Sequence, residues 1–214
     1  MTTKEHKIYC FLGLPGSGKG TQIETFSKKL NAKVVSMGEE IRKELENADL
    51  SDPFYQKMKS LYDKGIPQPD EVAIDIVKKT LRETDSHLIF DNFPFSQNQA
   101  DLFFRMCREL NVNNPELIII NISAEDSLHR IIYRRTCSDC GHIMIDNGEP
   151  ICEKCGGTTI SRADDNEETV RERIKNYLPR IEEVKNYFLS NGIVHEIDGR
   201  GTIKEVNLLI ESII

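Results

Sequence analysis

The chain alternates short apolar runs with longer segments in which apolar residues recur at helical spacing. The apolar runs predict strands at 8–12, 33–35, 87–90, 117–122 and 193–197. Short buried strands that alternate with helices are typical of a parallel sheet covered on both faces, so we expect an α/β fold in three layers. Ligands of such folds bind at the carboxyl ends of the strands.

Two segments interrupt this alternation. Residues 38–79 are helical in pattern with a break at Pro67-Gln68-Pro69-Asp70, whereas residues 136–161 are poor in apolar residues and rich in Cys and Gly. Both are predicted as lobes added to a core. The core segments that we expect are 1–37, 80–135 and 162–214.

Composition narrows the class of protein. The 214 residues are 38% hydrophobic and carry a net charge of −7, which argues against a general nucleic-acid-binding surface and leaves only local clusters of Arg and Lys for phosphate. No apolar run approaches membrane-spanning length, and residues 1–7 lack a signal-peptide core. We therefore expect a cytoplasmic protein without a membrane partner, in which the six cysteines are thiols or metal ligands.

Residues 13–21, G-L-P-G-S-G-K-G-T, lie between a predicted strand and a predicted helix. Glycines let backbone N–H groups turn towards phosphate oxygens, and Lys19 can bridge the outer phosphates. Gly20 stands where a Ser or Thr would hold Mg²⁺ directly, so the metal is expected to be held by phosphates, waters and a carboxylate. Asp91 follows the 87–90 strand and is the candidate carboxylate, with a simple turn-forming role as the alternative.

The cysteine-rich segment contains two C-x-x-C pairs, which are Cys137 with Cys140 and Cys152 with Cys155. Four thiolates at this spacing predict a Zn²⁺ site, and the site is expected to be structural because four ligands leave no open coordination position. A segment with so few apolar residues also needs a metal to stabilise its fold. Redox-active pairs are the alternative. Cys10 and Cys107 lie among apolar residues and are predicted as buried thiols, and His142 is not expected to be a ligand.

Four arginines flank the cysteine-rich segment. Arg130 and Arg134 stand four residues apart in a helical pattern, which predicts one shared helix face. Arg162 leaves the segment, and Arg173 lies in the following helix. A lid flanked by these side chains would bring them over the phosphates on closure and exclude water.

With these residues in place, the chain resembles adenylate kinases of the bacterial type with a zinc-binding lid. The matching motifs run nearly end to end, at 13–21, 36–42, 69–72, 91–94, 99–101, 130–135, the paired C-x-x-C motifs, 162–173 and 198–199. The resemblance implies a P-loop kinase core with five parallel strands in the order 2-3-1-4-5, a helical insertion that binds the nucleoside monophosphate, and a monomer. It also implies direct in-line phosphoryl transfer from ATP-Mg²⁺ to AMP, giving two ADP.

The resemblance also implies a role for individual residues of this chain. Those expected at the donor nucleotide are Gly16, Ser17, Gly18, Lys19, Gly20, Thr21, Arg130, Arg134, Ile143 and Gly201. Those expected at the acceptor are Met37, Arg42, Gln68, Asn92, Gln99, Arg162 and Arg173. Those expected to act in catalysis are Lys19, Arg42, Asp91, Arg130, Arg134, Arg162 and Arg173.

The acceptor side departs from the family pattern at three positions. Phe95 stands where the family has an arginine that binds the acceptor phosphate, Asn92 where it has a glycine, and Met37 where it has Thr or Ala. Loss of a charge-assisted phosphate contact costs about 2–5 kcal/mol of transition-state stabilisation. The candidates for a replacement charge are Arg82, Arg105 and Arg108.

These departures leave three interpretations. The favoured one is an adenylate kinase that tolerates an unusual acceptor site, since the phosphate loop, lid arginines and cysteines are all present. A second is a kinase for UMP, CMP or another monophosphate, which Asn92 and Met37 motivate. The third is a nucleotide-binding sensor that has lost efficient transfer, which Phe95 motivates.

Overall fold

The computed structural model describes residues 7–64, 66–84, 86–161 and 165–213. Its strands are β1 (Ile8–Leu12), β2 (Lys33–Ser36), β3 (Leu88–Asp91), β4 (Glu116–Asn121), β5 (Arg134–Cys137), β6 (Ile143–Ile145), β7 (Thr159–Ile160) and β8 (Ile193–Asp198). Five of them form a parallel sheet in the order β2-β3-β1-β4-β8. The order expected from the resemblance is therefore confirmed, with β8 as the fifth core strand, and each predicted strand is found within one residue of its expected ends.

The helices are α1 (Lys19–Leu30), α2 (Met37–Glu46), α3 (Pro53–Asp63), α4 (Asp70–Glu83), α5 (Gln97–Glu109), α6 (Ala124–Ile132), α7 (Glu167–Asn191) and α8 (Ile203–Glu211). Helices α2, α3 and α4 lie between β2 and β3 and include the predicted helical insertion. The break predicted around the two prolines is present, because α3 ends at Asp63 and α4 begins at Asp70. Among the described residues, no helix is both long and apolar enough to cross a membrane.

Side chains of β1 alternate between the two faces of the sheet, as a strand period of two requires. Tyr9 and Phe11 pack with residues of α1 and α8, whereas Cys10 and Leu12 pack on the opposite face with residues of α4, α5 and α7. All four side chains are fully buried. The sheet is thus covered on both sides, and the predicted three-layer α/β core is confirmed.

The cysteine-rich segment forms its own small antiparallel sheet, in the order β6-β5-β7. Its four isoleucines are about half exposed: Ile143, Ile145, Ile151 and Ile160. The buried side chains of this segment are few and include Cys137 and Cys152. A lobe with so little apolar burial has little hydrophobic stabilisation of its own. Another interaction must therefore stabilise its fold, and the four cysteines are the candidates for it.

Candidate active site

The loop between β1 and α1 has a backbone that requires glycine. Gly16 and Gly18 adopt positive φ values of 75° and 90°, which L-residues with side chains rarely adopt. A Cβ atom on Gly13 would lie 2.6 Å from the carbonyl oxygen of Ile120 in the neighbouring strand. The loop therefore passes close to β4 and leads into the N-terminus of α1, where backbone N–H groups and the helix dipole favour an anion.

Lys19 is buried at the start of α1, and its Nζ donates a hydrogen bond to the Gly13 carbonyl oxygen at 3.0 Å. Burial lowers the pKa of Lys19; the Asp91 carboxylate opposes this shift, and the charges of Arg173 and Arg134 reinforce it. Three predicted site residues, Asp91, Arg134 and Arg173, are thus near enough to Lys19 for their charges to act on it. A buried cation that hydrogen-bonds back to the loop is positioned to bind the outer phosphates of a nucleotide.

Asp91 is the last residue of β3 rather than the residue after it. Its Oδ2 accepts a hydrogen bond from the Ser36 hydroxyl at 3.3 Å, while its Oδ1 is buried without a hydrogen-bond partner. Burial raises the pKa of Asp91, and the Lys19 ammonium opposes that shift. A buried carboxylate oxygen with no partner needs an explanation, and a hydrated Mg²⁺ ion fits it because that ion is bound through few carboxylates and several waters.

Arg130 joins two loops of the site. Its Nη2 donates to the carbonyl oxygen of Gly199 at 3.0 Å, and its Nη1 lies 3.4 Å from that of Gly16. The guanidinium therefore connects the phosphate loop with the loop after β8. Gly201 lies in that second loop, just before the Thr202 cap of α8.

The prediction that Arg130 and Arg134 share a helix face is wrong. Helix α6 ends at Ile132, and Arg134 opens β5, where it pairs with Ile145 across the small antiparallel sheet. The helical spacing does not hold because the chain leaves the helix after Tyr133 to form that sheet. Arg162, Ala163 and Asp164 lie outside the described residues, as do residues 1–6.

Two predicted acceptor residues, Arg42 and Gln68, lie in the helical insertion, and a third, Met37, directly precedes it. Met37 is buried at the first position of α2. Arg42 is exposed, and its Nη1 lies 3.3 Å from the Tyr62 hydroxyl. The Nε2 of Gln68 donates to the Met58 carbonyl oxygen at 2.9 Å, and its Oε1 is buried without a partner.

Asn92 and Gln99 lie within and next to residues 91–96, which we call the acceptor loop. Asn92 has φ 58°, in the left-handed region that the family glycine adopts freely, and its Oδ1 is buried without a hydrogen-bond partner. The Gln99 Nε2 donates to Asp70 at 2.8 Å, and its Oε1 accepts from the Phe95 N–H at 2.7 Å. The Gln99 amide therefore connects the acceptor loop with the first residue of α4.

Phe95 is buried and lies against α7. Its ring centroid is 4.5 Å from that of Tyr177, and the guanidinium carbon of Arg180 lies 5.6 Å from the Phe95 ring centroid. The Nη1 of Arg180 also donates to the Phe95 carbonyl oxygen at 3.1 Å. Arg180 is not among the site residues predicted from the sequence, although its spacing of seven residues from Arg173 places both on the same helix face.

Two of the predicted replacement arginines lie elsewhere. Arg105 forms an ion pair with Asp101 at 2.6 Å within α5. Helix α4 contacts the acceptor loop at its first residue, where Asp70 accepts a hydrogen bond from Ser96. Arg82 lies twelve residues further along the same helix, about 18 Å away at the helical rise. Arg108 lies in the last turn of α5.

The four cysteines of the small lobe converge, and all four Sγ atoms lie within 4.8 Å of one another. The Cys137–Cys155 and Cys140–Cys152 Sγ distances are 3.5 and 3.8 Å. Tetrahedral coordination at a Zn–S length of about 2.3 Å requires sulfurs about 3.8 Å apart, so the donor set and geometry fit zinc. Backbone N–H groups of Cys140 and Asp139 donate to the Cys137 sulfur and lower its pKa to about 7, which favours the thiolate that a metal binds.

The other cysteine predictions also agree with the structure. Cys10 and Cys107 are fully buried, and burial raises the pKa of the Cys107 thiol to about 12. His142 contacts the Glu153 carboxylate at 3.0 Å and is not part of the four-sulfur cluster.

Comparisons with known proteins give the same family. The family model for adenylate kinase matches residues 11–193. An adenylate kinase of Archaeoglobus fulgidus is 37% identical over 95% of this chain and 97% of its own length. Adenylate kinases of Ruminiclostridium cellulolyticum and Thermodesulfovibrio yellowstonii are 34% and 32% identical, each over 92% of this chain and 94% and 93% of their own lengths. The chain therefore belongs to the adenylate kinase family of nucleoside monophosphate kinases.

Proposed function

We propose that this chain catalyses reversible phosphoryl transfer from ATP-Mg²⁺ to AMP, which gives two molecules of ADP. The observation that carries the proposal is a single site in which Asp91, Arg134 and Arg173 all lie within electrostatic reach of Lys19, which is buried at the end of the glycine-rich loop. Transfer of a phosphoryl group requires positioning and charge neutralisation rather than a protein nucleophile, and this set of residues supplies both.

On the donor side, the backbone N–H groups of the loop from Gly16 to Thr21 bind the ATP phosphates, and Lys19 bridges the outer ones. Bound Mg²⁺ supplies further charge neutralisation, and Asp91 holds its waters. Arg130, which donates to the Gly199 carbonyl oxygen, forms one side of the donor site. The residues Gly201 and Ile143 contact the donor nucleotide chiefly through their backbone. Arg134, Arg162 and Arg173 neutralise the transferring group.

On the acceptor side, Arg42 binds the phosphate, and Met37, Gln68 and Gln99 surround the nucleoside. The buried Oδ1 of Asn92 has no partner in the protein, and we assign it to the exocyclic amino group of the adenine of AMP, which can donate a hydrogen bond to it. Cytosine carries the same donor next to a ring acceptor, whereas uracil would have to donate from a ring N–H that lies between two carbonyl oxygens. Asn92 therefore suits AMP or CMP, and the comparison of AMP with UMP tests this assignment.

Two lobes close over the core when both nucleotides are bound. We assign the acceptor lobe to residues 38–79 and the lid to residues 136–161, and closure excludes water from the transferring phosphoryl group. A structural Zn²⁺ ion held by Cys137, Cys140, Cys152 and Cys155 stabilises the lid, since this set fits the metal and leaves no open position for catalysis. The monomeric state and cytoplasmic location stay predictions from the sequence.

A nucleotide-binding sensor is the second candidate, because Phe95 is apolar and buried at the position of an expected phosphate-binding arginine. The test measures ADP formation from ATP-Mg²⁺ with AMP, CMP, UMP and GMP in turn, for the wild type and for Phe95→Arg. Turnover highest with AMP supports the proposal, and a preference for another monophosphate reassigns the acceptor. No turnover with any of the four, while ATP still binds, would establish the sensor.

A further inference from the structure

One guanidinium group that the proposed mechanism does not use lies directly against the acceptor loop. We propose that Arg180 binds the phosphate of the acceptor nucleotide and so supplies the charge that Phe95 cannot. This inference rests on the proposed function for the identity of the ligand, a nucleoside monophosphate. Two observations carry it: the contact of Arg180 with the loop, and its place on α7.

The first observation is the contact itself. Arg180 donates from Nη1 to the carbonyl oxygen of Phe95 at 3.1 Å, and its guanidinium carbon lies 5.6 Å from the centroid of the Phe95 ring. The charge is therefore held beside the position at which an arginine was expected. One hydrogen bond uses one of the five N–H donors of a guanidinium, which leaves donors for an anion. Arg180 is only partly buried, so a ligand can reach it.

The second observation is the direction of the helix face. Arg173, Tyr177 and Arg180 are spaced at i, i+4 and i+7, which places them on one face of α7. Tyr177 contacts the Phe95 ring, so this face lies against the acceptor loop. Arg173 at the other end of the row is close enough to Lys19 for its charge to lower the lysine pKa. The same face therefore extends from the donor phosphates to the acceptor loop, over a rise of about 10 Å from Arg173 to Arg180.

The chemistry of the side chain also fits a dianionic phosphate. The planar fork of an arginine suits such a group and remains charged in a partly buried site.

The alternative is that Arg180 only braces the loop. The two roles differ in whether the phosphate of the ligand matters. The test is therefore to compare the binding of AMP with that of adenosine, which lacks the phosphate, by calorimetry in the absence of ATP. Arg180→Met is expected to weaken AMP binding about 10- to 100-fold, the range for loss of a charge-assisted hydrogen bond, and to leave adenosine binding unchanged. The affinity of Arg180→Lys for AMP should lie between those of the wild type and Arg180→Met. The control is Arg171→Met, which removes an exposed arginine of the same helix that is paired with Glu167.

A rescue variant adds a second readout. Phe95→Arg in the Arg180→Met background should restore AMP binding, because it returns a cation to the loop. Equal loss of AMP and adenosine binding in Arg180→Met would overturn the proposal in favour of a bracing role. A double variant that folds but does not regain AMP binding would also overturn the proposal. If the double variant does not fold, the comparison of AMP with adenosine binding in Arg180→Met decides. Phosphate-dependent binding through Arg180 without turnover would refute the proposed function and leave this inference standing.

Discussion

Arg134 and Asp165 form a bidentate ion pair between the two ends of the small lobe. The Nε and Nη2 atoms of Arg134 lie 2.8 and 2.5 Å from the two carboxylate oxygens of Asp165. Arg134 is the first residue of β5, and Asp165 precedes the Asn166 cap of α7. The Asp165 side chain is 1% exposed and that of Arg134 is 14% exposed, so solvent screens the pair little. The pair joins the two ends of the small lobe and holds a guanidinium near Lys19.

Asp165→Asn should destabilise the protein. The substitution keeps the shape but leaves the buried guanidinium without its countercharge, and we expect the free energy of unfolding to fall by about 3 kcal/mol, near the lower limit for a broken buried pair. That corresponds to a melting temperature lower by about 6–12 °C for a chain of this size. The measurement is thermal unfolding followed by circular dichroism.

The matched control for this prediction is Glu167→Gln. Glu167 pairs with Arg171 on the next helix turn, but both side chains are more than 60% exposed, and exposed pairs contribute little. Equal melting temperatures for Asp165→Asn and the wild type would contradict a stabilising role for the Arg134–Asp165 pair.

The sequence predicted most of the core because the period of its apolar residues encodes the elements themselves. The run at 8–12 is β1, and the glycine-rich loop and Lys19 lie where the motif indicated. The position of Arg134 was predicted wrongly because the four-residue spacing from Arg130 is also compatible with a chain that leaves the helix. Arg180 was missed because Phe95 lies 85 residues away in sequence, and no local pattern encodes a contact at that separation.

Asp91 should make stability depend on pH with a characteristic sign. Its pKa is raised in the folded state by burial, so the folded protein binds a proton more readily than the unfolded chain just above the ordinary value of 3.8. Stability from this group is therefore lost as pH rises through the raised pKa. Asp91→Asn cannot ionise, and its stability relative to the wild type should increase from pH 4.5 upwards and then level off.

Urea unfolding between pH 4.5 and 7.5 measures that difference. The control is Asp198→Asn, because hydrogen bonds from Arg200 lower the pKa of Asp198 to about 2. The contribution of Asp198 is lost only as pH falls below its ordinary range, so the control difference should stay flat across the same interval. A flat profile for Asp91→Asn as well would mean that Asp91 titrates normally in the folded protein.

Removal of zinc should affect stability more than the initial rate. The four cysteines hold a lobe with few buried apolar side chains, so a chelator should lower the melting temperature strongly. The initial rate of ADP formation at moderate temperature should fall less, because four thiolates leave no open metal position for catalysis. Metal analysis should give about one zinc per chain, as expected for a four-cysteine site.

Thiol titration in the native state tests which cysteines hold the metal. After chelation the four thiols of the small lobe should react as that lobe loosens without its metal, whereas Cys10 and Cys107 should react only on unfolding, since both are fully buried in the core. Loss of all activity in a chelated protein that keeps its fold would overturn the structural role of the metal.

Asn92 should determine discrimination between acceptor bases. Asn92→Gly suits the backbone, which has φ 58°, but removes the buried Oδ1 that lacks a protein partner. We expect kcat/KM for AMP to fall about tenfold, as for the loss of one hydrogen bond, while the KM for ATP is unchanged and the preference for AMP over UMP narrows. Asn111→Gly is the control, because Asn111 also has positive φ, at 55°, but lies at the end of α5. An unchanged ratio of AMP to UMP turnover in Asn92→Gly would show that Asn92 fills the glycine position without contacting the base.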